Sequence, residues 1–483
     1  MDRFKAQGLH GKLTSNISYR KKKLRSLLLG CGILVTLLLY LERQWLHSLA
    51  FKFGNGMDTS IVCQNSPCSH YDLWNDASEF QWKSNAVSKR QLVRALAFVM
   101  RLEPAVSVNG SCSPPALPKE ASCSGQAALT GHRFDRPKKI AQMLMISFES
   151  DALEISLRES WDIVDHIFLV ESTRIHNPVG KDGRTVKPLM WEALRDTDRF
   201  KFLPKEKVVY IIVDDVDIHR ATQEGEDKIW SVENLQTDIA IQKIQLWQRH
   251  TGALQDDDIL ITADIDEIIS RETLHKLKWC EPVEGHFSGA VWMPMGNLNN
   301  AFRTDHPAPN LPFTITVPKV YNWSFISSTY EVGWKQIQSE KQLAKGPSWK
   351  FVTGGIHLTN PSFMPYQILK SLCATEYIGT DKHQNYSMLQ IEEEQDLHYS
   401  MDINPDWKRR LANVSELGPS YTGWLDYVPW FLKCNQDRFP YWFGKSDKRN
   451  KTLLFVLRML SSGESYHMAQ HFYMTENGIS PCR

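Results

Sequence analysis

Apolar runs of strand length alternate with helical segments from residue 139 onward, and this pattern constrains the fold more than any other feature. Apolar residues at helical spacing follow the first run, with Asp151 as a candidate N-cap, and recur from about Ser231 to His250. Continuous apolar strands that alternate with helices are typical of a parallel sheet covered on both faces. We therefore predict an α/β domain with a mostly parallel sheet. The runs are "IAQMLMISF" (140–148), "HIFLVES" (166–172), "KVVYIIVDD" (207–215) and "DILITAD" (258–264).

Carboxylates stand at the ends of the last three of these runs. Ligands of open α/β sheets bind beyond the carboxyl ends of the strands. The convergence of acids at one edge of the sheet therefore predicts a ligand site there. The acids are Glu171, Asp214, Asp215, Asp264, Asp266 and Glu267.

The stretch "LITADIDEIIS" (260–270) raises the question of what balances its charge. On a strand, Asp264 and Asp266 point to one face, about 7 Å apart, and repel each other unless positive charge lies between them. A hard cation, Mg²⁺ or Mn²⁺, completed by a diphosphate is one solution. A glycosidase acid pair and a helix N-terminus that favours acids are the alternatives. An EF-hand is excluded, because its sixth position would be Ile269 instead of Gly.

Two further side chains have roles that the sequence leaves open. His357, in "GGIHLT", could complete a metal shell as neutral imidazole, or it could be an ordinary core or surface histidine. Lys187, in "RTVKPLMWEAL", could pair with a phosphate, or it could be a solvated lysine ahead of a helix. No Walker A, G-x-G-x-x-G or G-x-S-x-G pattern occurs, and the net charge of +1 does not indicate a nucleic-acid partner.

A short apolar run near the N-terminus, "LLLGCGILVTLLLYL" (27–41), predicts a membrane anchor. Flanking Arg25 and Arg43 can snorkel and extend it to the roughly 17–20 residues that a span needs. We predict an uncleaved signal anchor at 26–43 behind a basic cytosolic tail at 1–25. A cleaved signal peptide is the alternative.

The remaining chain divides by composition. Residues 44–137 are rich in Gly, Ser, Pro and Asn and are predicted to form a stem, with the globular domain at 138–483. An even number of cysteines beyond the anchor suggests disulfides, with Cys63/Cys68 and Cys112/Cys123 as candidate local pairs, although connectivity cannot be derived. Glycosylation sequons fit a secretory-pathway protein and begin at Asn109, Asn322, Asn385, Asn413 and Asn450.

Between about residues 139 and 400, a set of motifs occurs in a characteristic order. They are "FLVES", "TRIHNPVGKDGRTVKPL", "IIVDD", "WSVENLQTDI", "DDDILITADIDEI", "GGIHLT" and "KSLCATEY". This order resembles glycosyltransferase family 17, the group that contains the enzyme adding the bisecting GlcNAc to N-glycans. The chain departs from the family pattern at Thr237, Ile356 and Thr375, where the family has Arg, Trp and His. The residues matched to the family are Glu171, His176, Gly180, Lys187, Pro188, Leu189, Trp230, Glu233, Gln236, Asp238, His357, Lys370 and Glu376.

The resemblance implies a GT-A-like lumenal domain behind an N-terminal transmembrane helix, a single-pass type II protein of the Golgi membrane. It implies transfer of N-acetylglucosamine from UDP-GlcNAc to a mannose of an N-glycan, β-1,4 and inverting, with Mn²⁺ or Mg²⁺ as cofactor. A homo-oligomer is compatible with it.

The same resemblance assigns roles to residues. Asp264, Asp266 and His357 are expected to hold the metal, and Asp264 also the nucleotide sugar. Glu376 and Glu267 are the candidate general bases. We also expect the nucleotide sugar to be bound by Glu171, Lys187, Asp214 and Asp215.

Two other classes of function remain open from the sequence. A lumenal glycoside hydrolase could use the same carboxylates without a nucleotide. A catalytically inactive, glycan-binding relative is suggested by Thr237, because an Arg at that position could bind diphosphate.

Overall fold

The computed structural model describes residues that all lie within one compact unit, Trp74–Arg483. Among them, no helix is long and apolar enough to cross a membrane. The predicted tail and anchor, at 1–25 and 26–43, lie outside the described residues and stay predictions. The described residues are 96–97, 99–101, 104, 106–176, 186–214, 231–304, 307–308, 310–330, 350–359, 361, 363–373, 409–417 and 423–445.

Strands and helices alternate through the first half of the described chain, and short strands prevail after it. The strands are β1 Leu129–Arg133, β2 Ile140–Ile146, β3 His166–Ser172, β4 Val208–Val213, β5 Ile259–Asp264, β6 Glu267–Ile269, β7 Cys280–Pro282, β8 His286–Trp292, β9 Pro294–Met295, β10 Asn297–Phe302, β11 Thr314–Ile315, β12 Lys319–Asn322, β13 Phe351–His357 and β14 Leu411–Asn413. The helices are α1 Ser150–Ser160, α2 Met190–Leu194, α3 Ser231–Thr251, α4 Arg271–Trp279, α5 Trp323–Tyr330, α6 Met364–Cys373 and α7 Trp430–Cys434.

The central sheet, as far as the described residues show it, has nine strands, in the order β4-β3-β2-β5-β12-β8-β13-β6 with β11 paired to β8. β2 is parallel to β3 and β5, and β3 is parallel to β4. β12 then runs antiparallel to both β5 and β8. The prediction of an α/β domain is confirmed, and the parallel part coincides with the four predicted runs. The sheet is mixed because β12, the next strand after β5 in the sheet order, runs antiparallel to both of its neighbours, and β6 is antiparallel to β13.

Strands β2, β3 and β5 are mostly buried on both faces, as their continuous apolar sequences suggest, whereas β4 at the edge of the sheet is largely half-buried. Ile140, Phe168 and Leu260 have almost no exposed surface. The buried Ile241 and Ile244 of helix α3 belong to one hydrophobic core cluster with Phe168 and Leu260. The edge of the sheet where β2, β3 and β5 end is therefore held by a rigid core.

Helix α1 begins differently from the expectation. Its N-cap is Glu149, and no side chain bonds to the first backbone N–H groups. The predicted cap, Asp151, lies in the first turn and is buried, where it pairs with Arg199 and accepts a hydrogen bond of 2.8 Å from the Tyr441 hydroxyl. Asp151 thus joins α1 to Tyr441, in the segment after α7, instead of capping the helix.

The end of the predicted stem is part of the folded unit. Strand β1 pairs with β7, and disulfides join Cys112 to Cys434 and Cys123 to Cys280. The predicted boundary between stem and domain at 137/138 is therefore too late in the sequence. The predicted Cys112/Cys123 pair is wrong, because each cysteine reaches a distant partner that the fold brings close; the Cys63/Cys68 pair lies outside the described residues.

Candidate active site

A cleft of about 400 Å³ opens at the carboxyl ends of β2, β3 and β5. This is the edge at which the sequence places its acids, and the position where open α/β sheets bind ligands. Acidic, basic and amide side chains meet in it. The charged and strongly polar residues that line the cleft are Glu149, Arg174, His176, Lys187, Gln236, Asp264, Asp266, Glu267, His357 and Lys370.

The predicted strand through Asp264 and Asp266 turns sooner than expected. β5 ends at Asp264, and a turn at Ile265 and Asp266 leads into β6 at Glu267. Ile265 is buried, which anchors the turn in the core. Asp264 is exposed while Asp266 is only 5% exposed, so the two carboxylates stand in different surroundings.

Strand β13 brings His357 to this turn through a close approach to β6. In the antiparallel register, His357 lies opposite Glu267. Gly355 has φ +133°, and a Cβ there would come within 2.1 Å of the Ile268 carbonyl oxygen. The Gly-Gly pair before His357 is therefore needed for the two strands to meet.

His357 and Asp266 form a buried pair, with 3.4 Å between Nε2 and Oδ2. Burial lowers the pKa of the imidazole, but the charge and hydrogen bond of Asp266 outweigh it, so the pKa is raised above its usual value. Burial likewise raises the pKa of the Asp266 carboxyl, but His357 and then Lys370 outweigh it, and the pKa falls. A carboxylate and an imidazolium thus stabilise each other at the base of the cleft.

Two other carboxyl groups of the cleft are shifted the opposite way. Burial, with the charge of Asp266, raises the pKa of Glu267 to about 7, although His357 opposes the shift. Burial and Asp266 also raise the pKa of Glu149. A carboxyl group with a pKa of about 7, as at Glu267, can exchange protons near neutral pH.

Lys370 lies on α6 and donates to the Thr359 hydroxyl at 2.6 Å. Its charge acts on Glu149, Asp266 and His357, so its ammonium group lies among the acids of the cleft. Lys370 belongs to the residues that match the family pattern in the sequence, whereas Glu149 was not identified from the sequence. The sequence nevertheless contains a signal, because Glu149 comes three residues after the end of β2 and Glu171 lies one residue before the end of β3, so the rule of acids at strand ends applies to both.

The described side chains of the cleft provide only some of the ligands that a metal ion needs. Within the described residues, no three His, Cys, Asp or Glu side chains are grouped so that they could hold one. Asp264 and Asp266 both line the cleft, and Mg²⁺ is commonly bound by one or two carboxylates plus substrate phosphates. The two carboxylates therefore fit an open site that a diphosphate would complete. The Nε2 atom of His357 faces Asp266, while its Nδ1 is buried without a hydrogen-bond partner in the described structure, and its role as a third ligand stays a prediction.

Glu171 has a structural position instead of the predicted nucleotide contact. Its carboxylate is fully buried and pairs with Lys187. It also accepts from the backbone N–H groups of Met190 at 2.6 Å and Trp191 at 3.1 Å, and from the Tyr210 hydroxyl at 2.9 Å. All its acceptor positions are thereby used, so it holds the start of α2 and orients Lys187. The structure argues against a ribose or uracil contact by Glu171.

The other end of the cleft is formed by the segment after β3 and by α3. His176 Nε2 and Gln236 Oε1 are 2.6 Å apart, and Gln236 is buried. The Arg174 backbone is held by an isolated antiparallel bridge to Val186 and lies in the same part of the cleft. Polar and basic groups therefore face the acids across the cleft.

The remaining predicted residues are not brought to the cleft by the described structure. Asp214 follows β4 and is half-buried, but it is not part of the described lining. Asp215 and Glu376 lie outside the described residues. Their predicted roles stay predictions.

Comparison with known proteins agrees with the resemblance seen in the sequence. Residues 118–289, a little over a third of the chain, match the model of Glycosyltransferase family 17. The suspected family is thus confirmed for these residues, which include β1 to β7 and the turn at Asp266. No curated protein matches the chain.

Solved structures add no functional argument. A crystal structure of 4-diphosphocytidyl-2C-methyl-D-erythritol synthase matches at 13% identity, covering 49% of this chain and 99% of that one. Its TM-score of 0.25 is too low to support an inference about this protein.

Proposed function

We propose that the protein transfers N-acetylglucosamine from UDP-GlcNAc to a mannose of an N-glycan, inverting to a β-1,4 linkage with Mn²⁺ or Mg²⁺. The family match supports a glycosyltransferase; the donor, acceptor and linkage are our proposal. The observation that carries it is the meeting of Asp264 and Asp266 with Lys370 and Arg174 in one cleft at the strand ends. Carboxylates for a cation beside basic groups for phosphates are what a nucleotide-sugar site needs.

The diphosphate end of the donor is assigned to the turn after β5. Asp264 and Asp266 would hold the cation, which supplies charge compensation for the departing UDP. Lys370 and Arg174 supply fixed positive charge for the phosphate oxygens. Lys187 lines the same cleft, but its ammonium group is held in the buried ion pair with Glu171, so we assign the phosphate contacts to Lys370 and Arg174.

The acceptor hydroxyl needs a base as it attacks C1 of the sugar. The new bond joins this hydroxyl oxygen to C1, the bond from C1 to the diphosphate oxygen breaks, and the hydroxyl proton passes to a carboxylate. We assign this role to Glu267, because its raised pKa suits a group that takes up a proton near neutral pH. Glu149 stands in the same cleft with the same direction of shift and is the alternative base, and Glu376 remains a candidate from the sequence.

We place the protein in the Golgi membrane with this domain in the lumen, anchored by residues 26–43. The described cysteines at disulfide positions, Cys112–Cys434 and Cys123–Cys280, support an oxidising compartment. The sequons support a secretory-pathway protein.

The test is nucleotide release by the full chain in detergent, with UDP-GlcNAc, a mannose-terminated N-glycan, and either Mn²⁺ or EDTA. UDP release that requires metal and falls at least about 100-fold in Asp264→Asn and Asp266→Asn is expected. Asp198→Asn, at an exposed pair with Lys201, is the matched control and should retain activity. UDP-dependent thermal stabilisation gives a readout that does not depend on turnover. Full activity in both cleft variants would exclude the proposed site.

A glycoside hydrolase is the second candidate, favoured by one observation. The pKa of Glu267 is raised beside an Asp266 whose pKa is lowered, and carboxyl groups with separated pKa values can act as acid and base. The same assay separates the two functions. A hydrolase would release free sugar from the glycan without UDP-GlcNAc, and UDP would give no thermal stabilisation.

A further inference from the structure

Three of the sequons lie in described parts of the chain, and the fold treats them differently. Asn109 and Asn413 are exposed, whereas Asn322 lies on the internal strand β12. Asn385 and Asn450 lie outside the described residues. A sequon marks a modification site only where the finished fold leaves room for a bulky, water-soluble oligosaccharide.

Asn109 lies in a surface turn that is tied to the C-terminal segment. Its backbone N–H donates to Asn435 Oδ1 at 2.9 Å, and the disulfide from Cys112 to Cys434 holds the same junction. The side-chain Oδ1 accepts from both the backbone N–H and the hydroxyl of Ser111, at 3.1 and 2.7 Å. With Oδ1 used in this way, Nδ2 is the side-chain atom directed away from these bonds.

The groove beside Asn109 has room for attached sugar. It measures about 380 Å³ and is polar, with Lys433, Asn435 and Lys445 among its walls. Sugar hydroxyls can exchange hydrogen bonds with such groups in place of water. An oligosaccharide on Asn109 would thus displace no packed side chain.

Asn413 repeats the arrangement of Asn109 at the end of β14. Its Oδ1 accepts from the backbone N–H of Ser415 at 3.0 Å and from the Ser415 hydroxyl at 2.8 Å. β14 is the edge strand of its small sheet, so its free side has no neighbouring strand within the described structure. The Asn413 side chain is exposed, whereas Leu411 and Ala412 of the same strand are half-buried.

Asn322 stands in a different environment. Its backbone N–H donates to the Gly285 carbonyl at 2.8 Å, and in the sheet it lies opposite Ile259. Its side-chain Oδ1 is buried and has no hydrogen-bond partner within the described structure. Among these residues, no bond joins it to the hydroxyl of Ser324, whose backbone N–H donates to Asp256. Asn322 is half-buried on an internal strand, so it offers a glycan less room than the exposed Asn109 and Asn413.

We propose that Asn109 and Asn413 carry N-linked oligosaccharides and that Asn322 does not. In the modification, Nδ2 bonds to C1 of a sugar carried on a lipid diphosphate, and the bond from C1 to the diphosphate oxygen breaks. Nδ2 loses one proton, and the lipid diphosphate leaves. The assignment requires that this part of the chain enter the secretory pathway, but it is independent of the reaction in the cleft.

The experiment is site mapping on the full chain expressed in a mammalian cell and extracted in detergent. Glycans are removed by peptide N-glycosidase in H₂¹⁸O, which labels each formerly modified Asn, and peptides are then read by mass spectrometry. Ser111→Ala and Ser415→Ala should each abolish one labelled site and shift the gel band by one glycan step. Ser111→Thr and Ser415→Thr, which preserve the sequons, should retain both.

Label at Asn109 and Asn413 with Asn322 unlabelled supports the proposal. An unlabelled Asn109 or Asn413, or label at Asn322 comparable to theirs, overturns it. UDP release is measured on the same preparation, so failure of this proposal and failure of the proposed transferase activity are told apart.

Discussion

The imidazole of His357, at the end of β13, lies 3.4 Å from the carboxylate of Asp266, in the turn before β6. The antiparallel register of these two strands produces the contact. His357, with Lys370 as a second source, thus provides positive charge that stabilises the ionised form of Asp266. A bound cation would add to this internal compensation at the exposed Asp264.

Removing His357 should destabilise the fold through the carboxylate left behind. His357→Ala leaves the buried Asp266 without its ion-pair partner, with only the weaker effect of the Lys370 charge, and loss of one partner of a buried pair typically costs about 3–5 kcal/mol in the free energy of unfolding. The double variant His357→Ala/Asp266→Asn should recover a substantial part of this loss, because the unpaired charge is gone. Urea unfolding of the unmodified protein, the two single variants and the double variant gives the interaction energy between the two side chains. Strictly additive losses of stability would show that His357 and Asp266 do not interact.

Gly355 should be intolerant of a side chain because of the close approach of β13 to β6. Gly355→Ala places a Cβ 2.1 Å from the Ile268 carbonyl oxygen, in addition to strain at φ +133° of about 1–3 kcal/mol. Gly125→Ala is the matched control, since φ is +78° there but nothing lies within 4 Å of the added Cβ. We expect the Gly355 variant to lose clearly more stability in thermal unfolding. Equal losses would mean that the strands can separate at no cost.

Glu171 should affect stability much more than nucleotide binding. Glu171→Gln leaves Lys187 buried without a counter-charge, and we expect a loss of about 3–5 kcal/mol. Adding Lys187→Met should restore part of it, because both charges are then absent. The affinity for UDP, measured by calorimetry on protein that remains folded, should change less than about threefold in Glu171→Gln, which is under 1 kcal/mol. A much larger loss of UDP affinity would return Glu171 to the predicted nucleotide site.

Glu159 should make the protein less stable as the pH rises. Burial raises the pKa of its carboxyl from 4.5 to about 8, although the N–H groups of Arg271 and Trp430 oppose the shift. The folded state therefore binds more protons than the unfolded state between these values. The stability from this group is fully present below pH about 4.5 and is lost as the pH rises through about 8.

The variant Glu159→Gln should flatten this pH dependence. It removes the ionisation but keeps a carbonyl that can accept from a backbone N–H. Urea unfolding at several pH values between 5 and 8 gives the slope, and Glu206→Gln applies the same change of charge at an exposed position. A slope equal to that of the unmodified protein would contradict the assignment of the shift to Glu159.

The sequence by itself determined the parallel strands and the place of the site. Continuous apolar runs are stable when they are covered on both faces, so β2, β3 and β5 form the buried centre of the parallel sheet, and the acids at the strand ends gather at one edge. The Gly-Gly pair before His357 and the ordered family motifs were also legible from the residue types alone.

Tertiary structure decided what each acid does there. Asp266 pairs with His357 in a turn where Ile265 is buried, and the residue spacing does not predict that turn. Glu171 lies at the end of β3 and Glu149 just after β2, yet Glu171 accepts from four donors while Glu149 lines the cleft. The disulfides join cysteines 322 and 157 residues apart. The interaction partners and the burial of a side chain depend on contacts between segments that are distant in the sequence, so they cannot be deduced from local sequence patterns.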